Sequence, residues 1–382
     1  MKKNGEVELI KKQNKKLKVI CLLLGIIVFL GVAGAGTLGY LFFHKDIAKK
    51  SKVIQEVVRI RKKMHQNQKD YGVEYFENHH NGSYKLDLYD GKEDMHATHP
   101  KIINFEKEWN GYKYWMVYSP YPYMNDEFEN PYLVVSNDKI NWKTPKGLTN
   151  PIEQKPENYE HGVVYNSDPH IVYNKDTNKL ELYFRFVDDN ADKVILYRRI
   201  SSDGVKWSEK EAIMTKKRSK QDFMSPAIIY DNGTYKMWYV NRDRTAYYTE
   251  SKDGYKYSEP IKLNLEYPIP KIQTWHLDAI KTENGYELLV SAYRSHKDRN
   301  SMNLYHFVSA DGKKFKKGTI VLRPSISSWD NKGLYRSSFM YEDGVYYVYY
   351  SGISMNGDRG IGLSFGSDIN NLIGSTIKKD NN

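Results

Sequence analysis

The chain has 382 residues, of which 40 % are apolar and 27 % are charged, with 33 tyrosines and one cysteine. This composition is too apolar and aromatic for a disordered chain. It is too poor in cysteine for a disulfide-built fold, a zinc-finger array or a thiol-redox enzyme. At this length one large domain or two ordinary ones can each bury a core.

The net charge of +11 is concentrated near the N-terminus. Residues 1–18 hold seven lysines against two glutamates, and residues 44–63 hold eight basic residues against two acidic ones. Removing these 15 basic and 4 acidic residues from the totals of 58 and 47 leaves 43 of each sign in residues 64–382. Because the excess flanks one segment instead of lining a groove, nucleic-acid binding is not predicted.

That segment, residues 19–43, contains 25 residues without a charge. It is long enough to cross a hydrocarbon core of about 30 Å, which predicts a transmembrane signal-anchor helix. Ala33-Gly34-Ala35 is a candidate cleavage site for a signal peptide, but the apolar run continues past it for longer than such peptides allow. With the lysine-rich tail 1–18 in the cytoplasm, the remainder of the chain is expected outside the cell.

Two further features accompany the predicted anchor. Gly31, Ala35 and Gly39 are spaced four apart, a small-residue pattern that permits close helix pairing and a dimer, although small residues are also common in spanning helices. Residues 44–97 are predicted to form a helical stalk and linker, and residues 378–382 a short tail.

The rest of the chain contains an internal repeat. Each unit combines a short apolar strand, a turn with Asn-Gly or Asp-Gly chemistry, an aromatic-rich strand, a loop and a Ser/Gly-x-Asp turn. Five antiparallel units of about this length predict an all-β, five-bladed β-propeller over residues 98–377. The five Asp turns are SNDKINW (136–142), SSDGVKW (201–207), SKDGYKY (251–257), SADGKKF (309–315) and GSDINNL (366–372).

Antiparallel order places the start of the first strand of each blade and the loop between its second and third strands on one side of the ring. We call this side the loop face; it carries the connections 119–130, 187–193, 241–245, 294–301 and 352–360. These connections are longer and more polar than the turns opposite, so a site is expected there. The residues that open the first strands are His99, Asp168, Ser225, the His276-Leu277-Asp278 group and Arg336.

Residues 98–377 resemble the five-bladed propeller superfamily of family-43 glycoside hydrolases, invertases, levansucrases and mannoside phosphorylases. The Asp turns, especially SSDGVKW, and the openings THP, SDP and MSP carry the resemblance. In family 43 the first three blades open with a general-base Asp, an Asp that orients and tunes the acid, and a general-acid Glu. Here Asp168 matches the second position, whereas His99 and Ser225 stand at the first and third.

Glycoside hydrolysis needs two carboxyl groups, so a partner for Asp168 is required. Asp278 beside the fourth opening, and Glu129 or Asp126 in the first loop, are the candidates, with His99 as an alternative base. Two histidines and two carboxylates are also a donor set for a divalent metal, which the spacing leaves open, so no metal ligand is assigned and the cofactor is unknown. The predicted substrate-binding residues are His170, Trp275, His276, Arg336, Tyr118, Tyr121 and Ser225.

Three functions remain open at this point. The first is a membrane-anchored, glycoside hydrolase-like enzyme acting on a cell-surface or exported polysaccharide. The second is a non-catalytic propeller that binds glycan during polysaccharide assembly. The third, suggested by the histidines and Arg336 around one carboxylate, is phosphorylase-like chemistry on an acidic glycan.

Overall fold

The computed structural model describes residues 80–88, 95–295 and 299–377. The chain divides into Met1–Asp70 and Tyr71–Asn382, and every described residue falls in the second unit.

Most of the predicted N-terminal features lie outside the described residues. They are the tail 1–18, the anchor 19–43 with its small-residue face, and residues 44–79 of the stalk. Within the described ranges no helix combines the length and the apolar character that crossing a membrane requires.

The described residues form five antiparallel sheets, so the predicted all-β five-bladed propeller is confirmed. Val, Ile, Tyr, Phe and Trp dominate the strands, as expected for side chains that pack between blades. In blades 1 to 3 the strands are β1 (Ala97–Trp109), β2 (Tyr112–Pro120), β3 (Tyr132–Ser136), β4 (Val164–Asn174), β5 (Lys179–Asp188), β6 (Lys193–Ser201), β7 (Glu211–Lys217), β8 (Met224–Asp231), β9 (Thr234–Val240), β10 (Ala246–Ser251) and β11 (Ile261–Lys262).

Blades 4 and 5 continue the pattern with one irregularity. The first strand of blade 5 is divided, and both of its parts pair with the next strand. Arg336 lies in the interruption between them. The strands are β12 (Ile272–Thr282), β13 (Gly285–Arg294), β14 (Asn303–Ser309), β15 (Thr319–Leu322), β16 (Gly333–Leu334), β17 (Ser338–Glu342), β18 (Val345–Ile353), β19 (Arg359–Gly366) and β20 (Ile373–Gly374).

Blade 1 has a reduced fourth strand. After β3, one bridge joins Val135 to Lys143, with backbone N–O distances of 2.8 and 3.0 Å. Pro145 follows two residues later and has no N–H to donate, so the ladder ends there.

Turn chemistry on the side opposite the loop face, which we call the turn face, explains the repeat. Asn110-Gly111, Asn232-Gly233 and Asp343-Gly344 each have positive φ at both residues, as type I′ hairpins require. In the Asp turn of blade 2, the carboxylate of Asp203 accepts hydrogen bonds from two backbone N–H groups at 2.8 Å. The repeated sequence motif is therefore a repeated hydrogen-bonded turn.

The ring closes between blades 5 and 1 through side chains. Glu342 of β17 contacts Lys113 and Lys139 at 3.0 Å each and accepts a 2.8 Å hydrogen bond from the hydroxyl of Tyr114. Beneath these groups, Tyr114 belongs to one apolar cluster with Tyr349 of β18. The first and last blades are thus joined by a charged seam over a buried core.

Residues 80–88, which fall in the predicted stalk and linker, are not helical. They pack on blade 5, where the N–H of Leu86 donates to the carbonyl of Ile361 at 2.7 Å and that of Ser83 to Ser375 at 2.8 Å. The carbonyl of Gly82 accepts a 3.1 Å hydrogen bond from Trp329. These residues are therefore part of the folded propeller unit.

Candidate functional site on the loop face

Three blades open with the same backbone irregularity. His99, Asp168 and Ser225 each precede a proline and have φ of 54°, 52° and 54°. The strand register shifts at each of them, as in a β-bulge. Because proline cannot donate to the ladder, the first strands of these blades are free to bend where they line the centre of the propeller. We call this central space, on the side of the loop face, the funnel.

The bulges help to bring together three side chains that could hold a metal ion. One ligand atom from each of His99, Asp168 and His276 lies within 4.8 Å of the others, and all three residues are buried. Nδ1 of His276 is 3.5 Å from Oδ1 of Asp168. Neither ring nitrogen of His276 has a hydrogen-bond partner, although both are buried. A buried imidazole in this condition is costly unless a ligand completes it.

The donor set fits a divalent metal ion. Two imidazoles and one carboxylate suit Zn²⁺, Mn²⁺ or Fe²⁺, and three protein ligands are typical of a catalytic site with an open position. Burial lowers the pKa of both His99 and His276 well below the usual value, and for His276 the nearby arginines lower it further. Both rings are therefore neutral at pH 7, which is the form that binds metal.

Glu129 is the second carboxyl group at the site. It comes from the loop between β2 and β3, and Oε1 lies 3.3 Å from Nδ1 of His99. The same nitrogen is 2.9 Å from the hydroxyl of Ser119. Burial, followed by the charge of Asp168, raises the pKa of Glu129 well above that of a free carboxyl. Glu129 is therefore the predicted partner of Asp168 that lies beside the group of His99, Asp168 and His276.

Two arginines flank Asp168. Nη1 of Arg336 is 3.5 Å from one carboxylate oxygen, and Nη1 of Arg185 is 3.7 Å from the other. Arg185 is fixed by a two-pronged pair with Asp222 at 2.8 and 2.7 Å and donates to Ser167 at 2.9 Å. Arg336, in contrast, contacts Asp168 through Nη1 alone, and its Nε and Nη2 have no hydrogen-bond partner.

Asp278, predicted as a partner of Asp168, lies outside the group of His99, Asp168 and His276. Its carboxylate accepts hydrogen bonds from Nζ of Lys101 at 2.8 Å and from the hydroxyl of Ser338 at 2.6 Å. Strands rise about 3.3 Å per residue, so Asp278 lies about 7 Å below His276 along β12. It belongs to a deeper, internally paired layer of the funnel.

Three other predicted residues also have internal structural partners. Nε2 of His170 lies 2.9 Å from both N and O of Ile228, and the hydroxyl of Ser225 bonds the backbone of Leu277 at 2.9 and 3.2 Å. These contacts join neighbouring blades. Tyr118 is buried in blade 1, with its hydroxyl 3.4 Å from the carbonyl of Leu88. These side chains therefore take part in structural contacts and are not members of the group formed by His99, Asp168 and His276.

The aromatic side chains form a wall and not an open stacking platform. Tyr121 and Tyr335 lie 5.7 and 5.2 Å from the ring of His99. Trp275, predicted to stack on sugar, is 8 % exposed, lies under Arg244 and donates to the hydroxyl of Tyr335 at 3.2 Å. Sequence reasoning missed Tyr335, Arg185, Asp222 and Arg359; a charged residue inside the strand KLELYFRFVD was the available signal for Arg185.

The loop that carries Glu129 also crosses the mouth of the funnel. The hydroxyl of Tyr123 lies 3.3 Å from Asp358 in blade 5, and Sδ of Met124 lies 3.8 Å from Asn300 in blade 4. Tyr123 and Met124 both have positive φ, an uncommon backbone for such side chains. The candidate site beneath this loop is closed to solvent, since Glu129 is 5 % exposed and Asp168 is 2 % exposed.

Comparisons with known proteins agree with this fold. No family model matches the chain. It is 29 % identical over 316 residues, 68 % of its length, to an A-type blood N-acetyl-α-D-galactosamine deacetylase of Flavonifractor plautii, of which it spans 40 %. The crystal structure of an N-acetylgalactosamine deacetylase from F. plautii with blood group B trisaccharide superposes with a TM-score of 0.65, 24 % identity and coverage of 75 % of this chain and 94 % of that one.

A family-43 β-1,3-galactosidase with galactodeoxynojirimycin superposes with a TM-score of 0.53, 14 % identity and coverage of 78 % and 99 %. The predicted resemblance is confirmed at the level of fold. The chain is a five-bladed β-propeller whose structural neighbours include family-43 glycoside hydrolases and a deacetylase of the same architecture.

Proposed function

We propose that this chain is a metal-dependent carbohydrate hydrolase that removes the N-acetyl group of an amino sugar. The observation that carries the proposal is the group of His99, Asp168 and His276, with ligand atoms within 4.8 Å. A glycosidase of the family-43 type would have acidic residues at the positions that His99 and Ser225 occupy here. The likeness to the F. plautii deacetylase supports amide hydrolysis over cleavage of a glycosidic bond.

The chain's own residues can perform this reaction. His99, Asp168 and His276 would hold a divalent cation, which would supply Lewis-acid polarisation of a carbonyl and a water of lowered pKa. Glu129, placed against His99, accepts a proton from the attacking water and delivers it to the amide nitrogen as the C–N bond breaks. The products are acetate and a free amine. Arg185 and Arg336 hold Asp168 in place, and the loop over the funnel excludes bulk water.

Acetate release from the full chain tests this proposal. The chain is stripped with EDTA, reloaded with Zn²⁺, Mn²⁺ or Co²⁺, and given oligosaccharides that contain N-acetylgalactosamine or N-acetylglucosamine. We expect activity only with metal, and a loss of at least about 100-fold in Glu129→Gln. Glu259→Gln, at an exposed glutamate on the Asp-turn side of blade 3, is the matched control.

Other products would point elsewhere. Release of new reducing ends without acetate would assign the ring to glycosidic cleavage. Release of a sugar phosphate in phosphate buffer would favour phosphorylase-like chemistry. Glycan binding without any product would favour a scaffold.

We further propose that the propeller is held outside the cell by the uncharged run 19–43 and acts on a cell-surface or exported polysaccharide. The run's length and its flanking lysines support this placement. Protease added to intact cells should remove the propeller while leaving the N-terminal tail protected. Protection of the propeller would contradict the proposed location.

A further inference from the structure

Three arginines on the loop face have no acidic partner among the described residues. Arg244 and Arg299 both lie over the ring of Trp275, with Cζ at 4.0 and 5.3 Å from its centroid. Arg359 lies over Tyr335, whose hydroxyl bonds Trp275. In the described part of the chain, no carboxylate comes within 4.0 Å of their guanidinium groups. Their charges therefore add up at one side of the funnel.

Arg359 is the most unusual of the three. It is 2 % exposed and lies 4.8 Å from the ring of Tyr121 and 4.6 Å from that of Tyr335. The guanidinium carbon lies over both aromatic faces, but Nε and Nη1 have no hydrogen-bond partner. An arginine buried without an acceptor is destabilising, since both its charge and its N–H groups have lost water.

Other cations in the funnel are balanced. Arg185 has Asp222, Lys101 has Asp278, and Arg336 has Asp168. Glu129 is the remaining carboxyl group, and it contacts Nδ1 of His99 at 3.3 Å instead of an arginine. A divalent cation at the proposed metal site would increase the positive charge further.

We propose that the substrate carries an anionic group, a carboxylate or a phosphate, which Arg359 binds inside the funnel while Arg244 and Arg299 attract it at the mouth. This inference rests on the proposed function, because it names the class of amino-sugar polymer that the site receives. Guanidinium groups bind such oxygens through paired, charge-assisted hydrogen bonds.

Binding is measured by calorimetry on the full, metal-loaded chain with two pairs of probes. The first pair is chondroitin tetrasaccharide and the same molecule with its carboxylates reduced to hydroxymethyl groups. The second pair is N-acetylglucosamine 6-phosphate and N-acetylglucosamine. We expect at least one acidic probe to bind about tenfold more tightly than its neutral partner, and the responding pair distinguishes carboxylate from phosphate.

The variants assign the preference to the arginines. Arg359→Met should abolish it, and Arg299→Gln, at an exposed position where folding is not at risk, should reduce it several-fold. Lys256→Gln removes one exposed charge on the turn face and should leave it unchanged. Added salt should weaken the contribution of Arg299 more than that of Arg359, since exposed charges are screened.

Equal affinity within both pairs would overturn the inference, as would a preference that survives in both arginine variants. Acetate release is recorded in parallel and separates the two proposals. Acetate release from neutral sugars without an acidic preference would leave the proposed function standing and remove this inference. An arginine-dependent preference without acetate release would support this inference and remove the proposed function.

Discussion

Two buried histidine–carboxylate pairs in this propeller differ in how completely they are satisfied. On the turn face, Nε2 of His306 lies 2.6 Å from Glu287, which also accepts hydrogen bonds from Thr282 at 2.5 Å and Tyr346 at 3.1 Å. On the loop face, His276 is 3.5 Å from Asp168, and both its nitrogens lack hydrogen bonds. The first pair is complete within the chain, whereas the second leaves both nitrogens of its histidine unsatisfied.

The pair on the turn face borders a cavity. A cavity of about 440 Å³ between blades 4 and 5 is lined by His306 and Tyr346. Burial raises the pKa of Glu287, but the hydrogen bonds from His306, Thr282 and Tyr346 outweigh it and lower that pKa overall. Because these groups satisfy one another, they stabilise the seam between the blades. The groups beside this cavity are therefore already satisfied, whereas the nitrogens of His276 at the candidate site are not.

Replacing His276 by phenylalanine should have the largest effect on activity. His276→Phe removes a proposed metal ligand, so metal-dependent acetate release should fall by at least about 100-fold. The free energy of unfolding should change little, since the two nitrogens removed have no partners to lose. Activity assays and urea unfolding without metal measure both quantities. Full activity in His276→Phe would contradict the proposal that the His276 pair, unlike the His306 pair, serves catalysis.

The same substitution at the other pair should have the opposite result. His306→Phe leaves Glu287 buried without one of its partners, so the free energy of unfolding should fall by about 1–3 kcal/mol. Activity per folded molecule should remain within about twofold, because His306 lies on the turn face. A stable but inactive His306→Phe variant would contradict this division of roles.

Metal should stabilise the folded chain through one pair only. At a metal concentration 100 times its Kd, a ligand of the folded state adds about 2.7 kcal/mol of stability. Thermal unfolding should therefore shift upward with Zn²⁺ or Mn²⁺ in the parent and in His306→Phe. No shift is expected in His276→Phe. Equal shifts in all three proteins would place the metal elsewhere.

The charged seam between blades 5 and 1 extends the comparison to pH. Burial raises the pKa of Glu342, but hydrogen bonds from Lys139, Tyr114 and Lys113 lower it to about 2, against 4.5 for a free glutamate. Because the folded-state pKa is lowered, Glu342 stabilises the folded protein fully above pH 4.5. This contribution is lost as the pH falls toward 2. Since its lysine partners are partly exposed, the contribution should be on the order of 1–2 kcal/mol.

Urea unfolding between pH 2 and 7 measures this contribution. Glu342→Gln should flatten the acid side of the stability curve relative to the parent. Glu259→Gln, at an exposed glutamate, should reproduce the parental curve. An unchanged slope in Glu342→Gln would show that the seam contributes nothing to closure.

The propeller could be predicted from sequence because its signals are local and repeated. Each Asp turn carries its own hydrogen bonds, as Asp203 shows, and each Asn-Gly or Asp-Gly pair specifies a hairpin. The order of antiparallel strands then indicated which face would hold the site. His99, Asp168, His276 and Arg336 were predicted in this way, and the structure places them close together.

The choice of the second carboxyl group could not be made from sequence. Asp278 and His276 share one side of β12, and only the depth of the funnel shows that Lys101 and Ser338 reach Asp278 first. Glu129 enters from a loop whose path has no periodic signal. Arg359 was likewise hidden, because an arginine in a polar loop is ordinarily solvated, and its burial depends on Tyr121 of blade 1 and Tyr335 of its own blade.

The most direct test of the metal site is a crystal structure of the protein soaked in Mn²⁺, with anomalous scattering used to locate the ion. We expect one strong peak bonded to His99, Asp168 and His276 at about 2.0–2.3 Å, and no peak beside His306. A funnel without an anomalous peak, with His276 instead hydrogen-bonded to ordered water or to a neighbouring side chain, would contradict the proposed metal site.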